Sequence, residues 1–116
     1  MIEIVYTDDF EVWWDGIAEG QQDDVAVVVG LLAERGVALG HPYSSAINGS
    51  DLGALRELRI QSGGHPLRVL YIFDPKRQAV LLVGGDKTGN ARFYEQMTPK
   101  AERAYEQYLL ETEQGK

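Results

Sequence analysis

Leu55-Arg56-Glu57-Leu58-Arg59-Ile60-Gln61, Leu67-Arg68-Val69-Leu70-Tyr71-Ile72-Phe73-Asp74 and Gln78-Ala79-Val80-Leu81-Leu82-Val83-Gly84 follow one another closely, and their reading decides the fold. Each is rich in branched and aromatic residues and bounded by turn formers, Ser62-Gly63-Gly64-His65-Pro66 in one gap and Pro75-Lys76-Arg77 in the other. Those gaps are too short for a crossover helix, so strands predicted over 54–61, 67–74 and 78–84 form an antiparallel meander. The first places Leu58 and Ile60 on one face and Glu57, Arg59 and Gln61 on the other. The last is apolar almost throughout, which predicts a central strand covered on both faces. One face of the meander is therefore a candidate charged floor.

Upstream, Ile2, Ile4 and Tyr6 alternate with Glu3, Val5 and Thr7, the period of a strand with one buried face. Asp8 and Asp9 are candidate caps for a helix whose apolar stripe is Phe10, Trp13, Trp14 and Ile17. A second helical stripe, Val25, Val28, Val29 and Leu32, runs towards Gly36, placed as a C-terminal cap. Residues 40–53 show no period and read as a long loop. Downstream, Asn90 opens a short helix through Met97. Thr98-Pro99 then reads as an N-cap with proline in the first turn of a last helix carrying Ala101, Ala104, Tyr105, Tyr108 and Leu109. The expected order is β-α-α-β-β-β-α-α, in the α+β class, with residues 1–116 as a single domain.

Composition narrows the chemistry. The chain of 116 residues is 44% apolar and 25% charged, as expected of a globular domain with one core. It has no Cys and two widely spaced His, which argues against a zinc cage or a thiol nucleophile and predicts chemistry without a metal or other cofactor. No apolar run is long enough to cross a bilayer, and the amino terminus lacks a basic stretch followed by an apolar one, so a cytoplasmic protein without membrane contact is expected. The net charge of −7 disfavours non-specific attraction to nucleic acid. That charge is uneven. Residues 1–53 hold one base and ten acids, whereas residues 56–92 hold seven bases and three acids, a local excess of four positive charges. Any anion site belongs in that second stretch.

Gly84-Gly85-Asp86-Lys87-Thr88-Gly89 is not a nucleotide-binding P-loop, since no Gly directly precedes Lys87. It reads as a turn at a strand end that holds Lys87 on a rigid support. Arg59 and Arg68 fall on neighbouring strands where both reach one face, with the Glu57 carboxylate beside them. A cross-strand salt bridge on a solvated face is the plain reading. Convergence of Lys87 on the same two arginines favours an anionic ligand, which relieves their mutual repulsion. His41 and His65 each precede a Pro and read as turn residues. Trp13 and Trp14 read as helix packing, while Tyr94 is a core or rim residue with a secondary reading as a contact to a base or phosphate.

Leu55-Arg56-Glu57-Leu58-Arg59, Leu67-Arg68-Val69-Leu70-Tyr71 and Leu81-Leu82-Val83-Gly84-Gly85-Asp86-Lys87, in that order, resemble the RelE/ParE toxin superfamily, and within it the HigB-like, phage Gp49-like branch. The resemblance extends through Leu39-Gly40-His41-Pro42, Asn48-Gly49-Ser50, Phe93-Tyr94 and Thr98-Pro99-Lys100-Ala101. It implies a RelE-like fold, with two N-terminal helices packed on a small antiparallel sheet and a C-terminal helix. It also implies the toxin of a type II toxin-antitoxin system, a ribosome-dependent endoribonuclease that cleaves mRNA and is neutralised by a HigA-like antitoxin with a helix-turn-helix domain. In such enzymes the 2′-hydroxyl attacks the adjacent phosphate, which calls for proton removal, stabilisation of a phosphorane and protonation of the leaving oxygen. By the resemblance Arg59 and Arg68 clamp the phosphate, Lys87 stabilises charge or acts as the acid, and Glu57 orients the arginines or serves as base. Arg56, Arg92 and Tyr94 are candidate substrate contacts.

The chain departs from the branch at two places, with Arg56 where an aromatic residue commonly precedes Glu-Leu-Arg and Thr88 where a second base commonly stands. Two alternatives therefore stay open. One is a ParE-type gyrase inhibitor, which shares the fold and needs no phosphate clamp; the other is a degenerate toxin fold acting as a binding module.

Overall fold

The computed structural model describes residues 1–114. They run β1 (Ile4–Tyr6), α1 (Asp8–Gly16), α2 (Glu19–Arg35), a single 3-10 turn at Gly36–Ala38, β2 (Ser44–Ala46), β3 (Arg56–Ser62), β4 (His65–Phe73), β5 (Ala79–Asp86) and α3 (Phe93–Gln114). The strands form one sheet in the order β1-β5-β4-β3-β2. The meander β3-β4-β5 is antiparallel, as its short turns require, and β2 extends it antiparallel along β3. β1 departs from the expected all-antiparallel sheet by pairing parallel to β5, from which two helices and three strands separate it, so no tight turn imposes the antiparallel sense on the pair.

The sheet is covered on both faces. Leu58, Ile60, Leu67, Val69, Tyr71, Ala79 and Leu81 pack with Phe10 of α1 and Val25, Val28 and Leu32 of α2. Leu70, Ile72, Val80, Leu82 and Val83 pack with Phe93, Met97, Ala101, Ala104 and Tyr105 of α3. This is an α+β arrangement compatible with the RelE-like fold. Among the described residues no helix is long and apolar enough to cross a membrane.

A bulge in β5 decides which side chains meet. Leu70 pairs with Val83 but Tyr71 pairs with Leu81, so Leu82 has no partner on β4. Leu82 and Val83 consequently face the same side, and alternation is inverted from there on. Gly84 then lies under Trp13 of α1, while Gly85 lies under Phe93 and Met97 of α3; a Cβ at either position would collide with those rings. The Leu82 carbonyl accepts a hydrogen bond from the Thr7 hydroxyl at 2.6 Å, and the same Thr7 oxygen accepts from the Phe10 N–H at 3.1 Å. Thr7, not Asp8 or Asp9, is thus the cap of α1, and the two acids occupy its first turn.

Two further expectations are corrected. The segment 40–53 contains β2, whose three residues are too few to show a period. Residues 93–114 form a single helix with Pro99 inside it, not two. Proline there forfeits one backbone hydrogen bond. Phe93, Met97, Ala101, Ala104 and Tyr105 nevertheless form one buried stripe along the sheet, and their burial holds the helix through the proline.

Candidate functional site: a cationic sheet face beside a buried carboxylate

Arg59 and Arg68 are directly opposite one another on β3 and β4, so their side chains leave the sheet on the same face. Glu57, two residues before Arg59, shares that face. Lys87 joins them because the Leu82 bulge has inverted the alternation of β5: it sits with Gly85 and Val83 on the α3 side. Its Nζ lies 5.1 Å from the centre of the Tyr94 ring, near the start of α3. Glu57, Arg59, Arg68, Lys87 and Tyr94 are therefore brought to one face.

Their roles separate by burial. Arg68 and Glu57 are 5% and 6% exposed, so the expected solvated salt bridge is instead an interior pair. Arg68 Nε approaches Glu57 Oε1 at 3.3 Å without the alignment of a hydrogen bond, and a second guanidinium nitrogen donates to the Leu67 carbonyl at 3.0 Å. Glu57 Oε1 also accepts from the Tyr94 hydroxyl at 2.5 Å, and Oε2 accepts from Ser45 of β2 at 3.0 Å. Both carboxylate oxygens are engaged, which suits Glu57 to holding Arg68 and Tyr94 in place and leaves it no free oxygen to aim at a substrate. Burial first, then the bond to Glu57, raises the Tyr94 phenol above its ordinary range, so Tyr94 is a neutral donor at physiological pH.

Glu57 compensates the charge of Arg68. Arg59 and Lys87 are only half-buried, and among the described residues neither has a carboxylate within salt-bridge distance. Two uncompensated cations flanking a rigid neutral cluster make a focused positive potential, despite the acidity of the chain as a whole.

The other two candidate contacts lie elsewhere. Arg56 is on the opposite side of β3, where its Nε donates to Ser44 Oγ at 3.1 Å and approaches the Tyr71 hydroxyl at 3.4 Å. Arg92 is exposed and makes two hydrogen bonds with Glu95, at 3.0 and 2.9 Å; the pairing raises the guanidinium and lowers the carboxyl. Sequence reasoning missed Ser45, which sits in a stretch without period. It also read His65 as a plain turn residue, whereas His65 Nδ1 lies 2.9 Å from Asp86 Oδ2 at the strand end next to Lys87. The Thr88 hydroxyl, at 2.6 Å, is the main cause that holds Asp86 below the usual carboxylate range; desolvation opposes it, and the Thr88 N–H and His65 add to the lowering. A separate hollow of about 560 Å³ between β1, α1 and α2 is lined mainly by apolar groups and by none of these cations.

Residues 12–106 match the family described as phage derived protein Gp49-like. The chain is 36% identical over 106 residues to a candidate toxin, HigB3, of Mycobacterium tuberculosis, a match covering 90% of this chain and 91% of that protein. It is 32% identical over 106 residues to a second candidate toxin of the same organism, HigB2, covering 90% of this chain but 53% of that longer protein. With the family match running from α1 into α3, across every strand that carries the cationic face, the chain belongs to the phage-derived Gp49-like family.

Proposed function

We propose that this protein is the toxin of a toxin-antitoxin pair and cleaves mRNA on the ribosome, with the cationic face as its active site. The observation that carries this reading is the pair of uncompensated cations, Arg59 and Lys87, held beside the neutralised Glu57–Arg68–Tyr94 cluster. The toxin names of its relatives support it. A scissile phosphate docks between Arg59 and Lys87. The 2′-hydroxyl attacks phosphorus, its proton leaving to solvent, and the 5′ oxygen departs with a proton from Lys87, giving a cyclic phosphate and a new 5′-hydroxyl. Both cations stabilise the extra charge of the phosphorane, the term that dominates such sites. Glu57 and Tyr94 take no proton; they fix Arg68 and the ring on which Lys87 rests.

The partners in this reading are a helix-turn-helix antitoxin and the translating ribosome. At a net charge of −7 the chain gains little affinity for free polymer, so docking on the ribosome supplies the orientation. Incubating purified protein with one message, with and without translating ribosomes at physiological salt, tests this by primer extension. Cuts are expected only in the translated message. Equal cutting in both tubes refutes the ribosome requirement. No cutting in either, together with inhibition of gyrase supercoiling, transfers the reading to a gyrase poison.

A further inference from the structure

β2 follows β3 only as far as the pairing of Ser44 with Leu58, and the Tyr43 carbonyl then takes the Arg59 N–H at 2.9 Å. Beyond that point the outer edge of β3, from Ile60 to Ser62, has no partner strand among the described residues. A cleft of about 510 Å³ opens there and bends around the edge from Arg59 towards α2. Its volume falls in the range of about 300–1,000 Å³ typical of small-ligand clefts.

The chemistry of the walls is polarised. At one end is the uncompensated Arg59. Tyr43, 38% exposed, and Val27 and Val28 of α2 form apolar walls. At the other end Asp24 of α2 is held by the Ser62 hydroxyl at 2.6 Å through Oδ2. Ser62 is three residues beyond Arg59, roughly 10 Å along the strand. The cleft thus offers a cation, then an aromatic face, then a carboxylate with an oxygen to spare. A nucleotide presents the complement in the same order: an anionic phosphate, a flat base, and hydrogen-bond donors on the base edge. A wholly anionic ligand would meet Asp24 unfavourably, and a wholly apolar one would leave it and Arg59 unanswered.

We propose that this cleft is the base subsite of the nuclease: it takes the base of the nucleotide whose phosphate Arg59 holds, stacks it on Tyr43, and selects bases that carry an exocyclic amine through Asp24. This rests on the reading of the cationic face as a phosphate site. Carboxylates accept from the cytosine amine, whereas uracil presents a carbonyl there and is repelled.

The test is titration of the full chain with non-cleavable 2′-O-methyl oligoribonucleotides, oligo-C and oligo-U of equal length, at low ionic strength, read by amide NMR with inorganic phosphate as control. Oligo-C is expected to shift Tyr43, Gln61 and Asp24 as well as Arg59 and Lys87, and to bind at least about five-fold tighter than oligo-U. Phosphate alone is expected to move Arg59 and Lys87 only. Tyr43→Ala should weaken oligo-C about ten-fold, the size of one lost stack, while Tyr43→Phe retains it. Asp24→Asn should remove the preference for C. If Arg59 and Lys87 respond but Tyr43 and Asp24 do not, or if C and U bind alike, the base subsite is wrong and the phosphate site stands. If oligonucleotides move none of these residues, the phosphate site fails and the subsite fails with it.

Discussion

Replacing Arg68 and replacing Arg59 by Ala should give opposite phenotypes, although the two arginines face one another across a strand pair. Arg68→Ala leaves Glu57, 6% exposed, as a buried carboxylate whose cationic partner has gone. Breaking a buried pair from one side costs about 3–5 kcal/mol, because the orphaned charge remains desolvated. Small domains have about 5–15 kcal/mol in all, so a large part of the stability is removed. At roughly 4 °C per kcal/mol for a domain near 100 residues, the melting temperature should fall by about 12–20 °C. Arg59→Ala removes a half-buried side chain with no ion pair among the described residues, and should cost at most about 1 kcal/mol. Its melting temperature should stay within about 4 °C of the parent while cleavage of translated message falls about 10²–10³-fold. Thermal unfolding followed by circular dichroism, with primer extension on the same preparations, makes the comparison. The double variant Glu57→Gln/Arg68→Met supplies the control, since exchanging both charges for neutral groups of similar size should recover much of the lost stability. An Arg68→Ala protein that melts with the parent would show that the interior pair does not hold this face together.

Lys87→Gln should lower cleavage about 10²–10³-fold while leaving antitoxin binding intact, measured by primer extension and by co-purification; equal loss of both would indicate misfolding instead. The Tyr94 phenol is raised in the folded state, so the stability it confers is complete below its unfolded pKa and is lost as pH rises through the folded one. In alkaline unfolding the parent should therefore lose stability where Tyr94→Phe shows a flatter profile, and parallel profiles would contradict the assignment. Thr7→Val removes both the α1 cap and the donor to the Leu82 carbonyl, and urea unfolding should show a loss of about 2–3 kcal/mol. Gly84→Ala pushes a methyl group into the Trp13 ring; a cost of about 1–3 kcal/mol with altered tryptophan fluorescence is expected, and an unchanged spectrum would refute the packing.

The meander was legible because its alternation and its short turns both demand antiparallel strands, and the two N-terminal helices because Phe10 to Ile17 and Val25 to Leu32 carry clean stripes. Three features were not. Ser44–Ala46 is too short to carry a pattern, so the strand that brings Ser45 to Glu57 read as loop. Thr98-Pro99 looked like a new helix start, and only the continuous burial from Phe93 to Tyr105 shows otherwise. Glu57 looked solvated because the residue that covers it, Tyr94, is 37 positions away in the chain. The charged residues of the face were readable from strand spacing, but the division between a compensated interior pair and two free cations depends on where α3 lands, which no local pattern encodes.

The unpaired Leu82 makes β5 behave like a message with a reading frame. In an uninterrupted ladder that paired Leu82 with Leu70, Lys87 would fall in phase with Leu67 and Val69 and emerge under α1 and α2, leaving the α3-side face without Lys87. Every side chain of the site would still be present in the chain, yet the site would not exist. Deleting Leu82 should therefore be silent for the site, since Val83 still pairs with Leu70 and Lys87 keeps its face, whereas one residue inserted after Val83 and taken up as a paired position should turn Lys87 away as a frameshift scrambles a gene. Insertions of two residues in this strand keep the frame, and insertions of one do not. Comparisons of Gp49-like chains gain from counting this parity alongside identity: a lysine that aligns with Lys87 without a gap is equivalent to it only if that strand also carries a bulge.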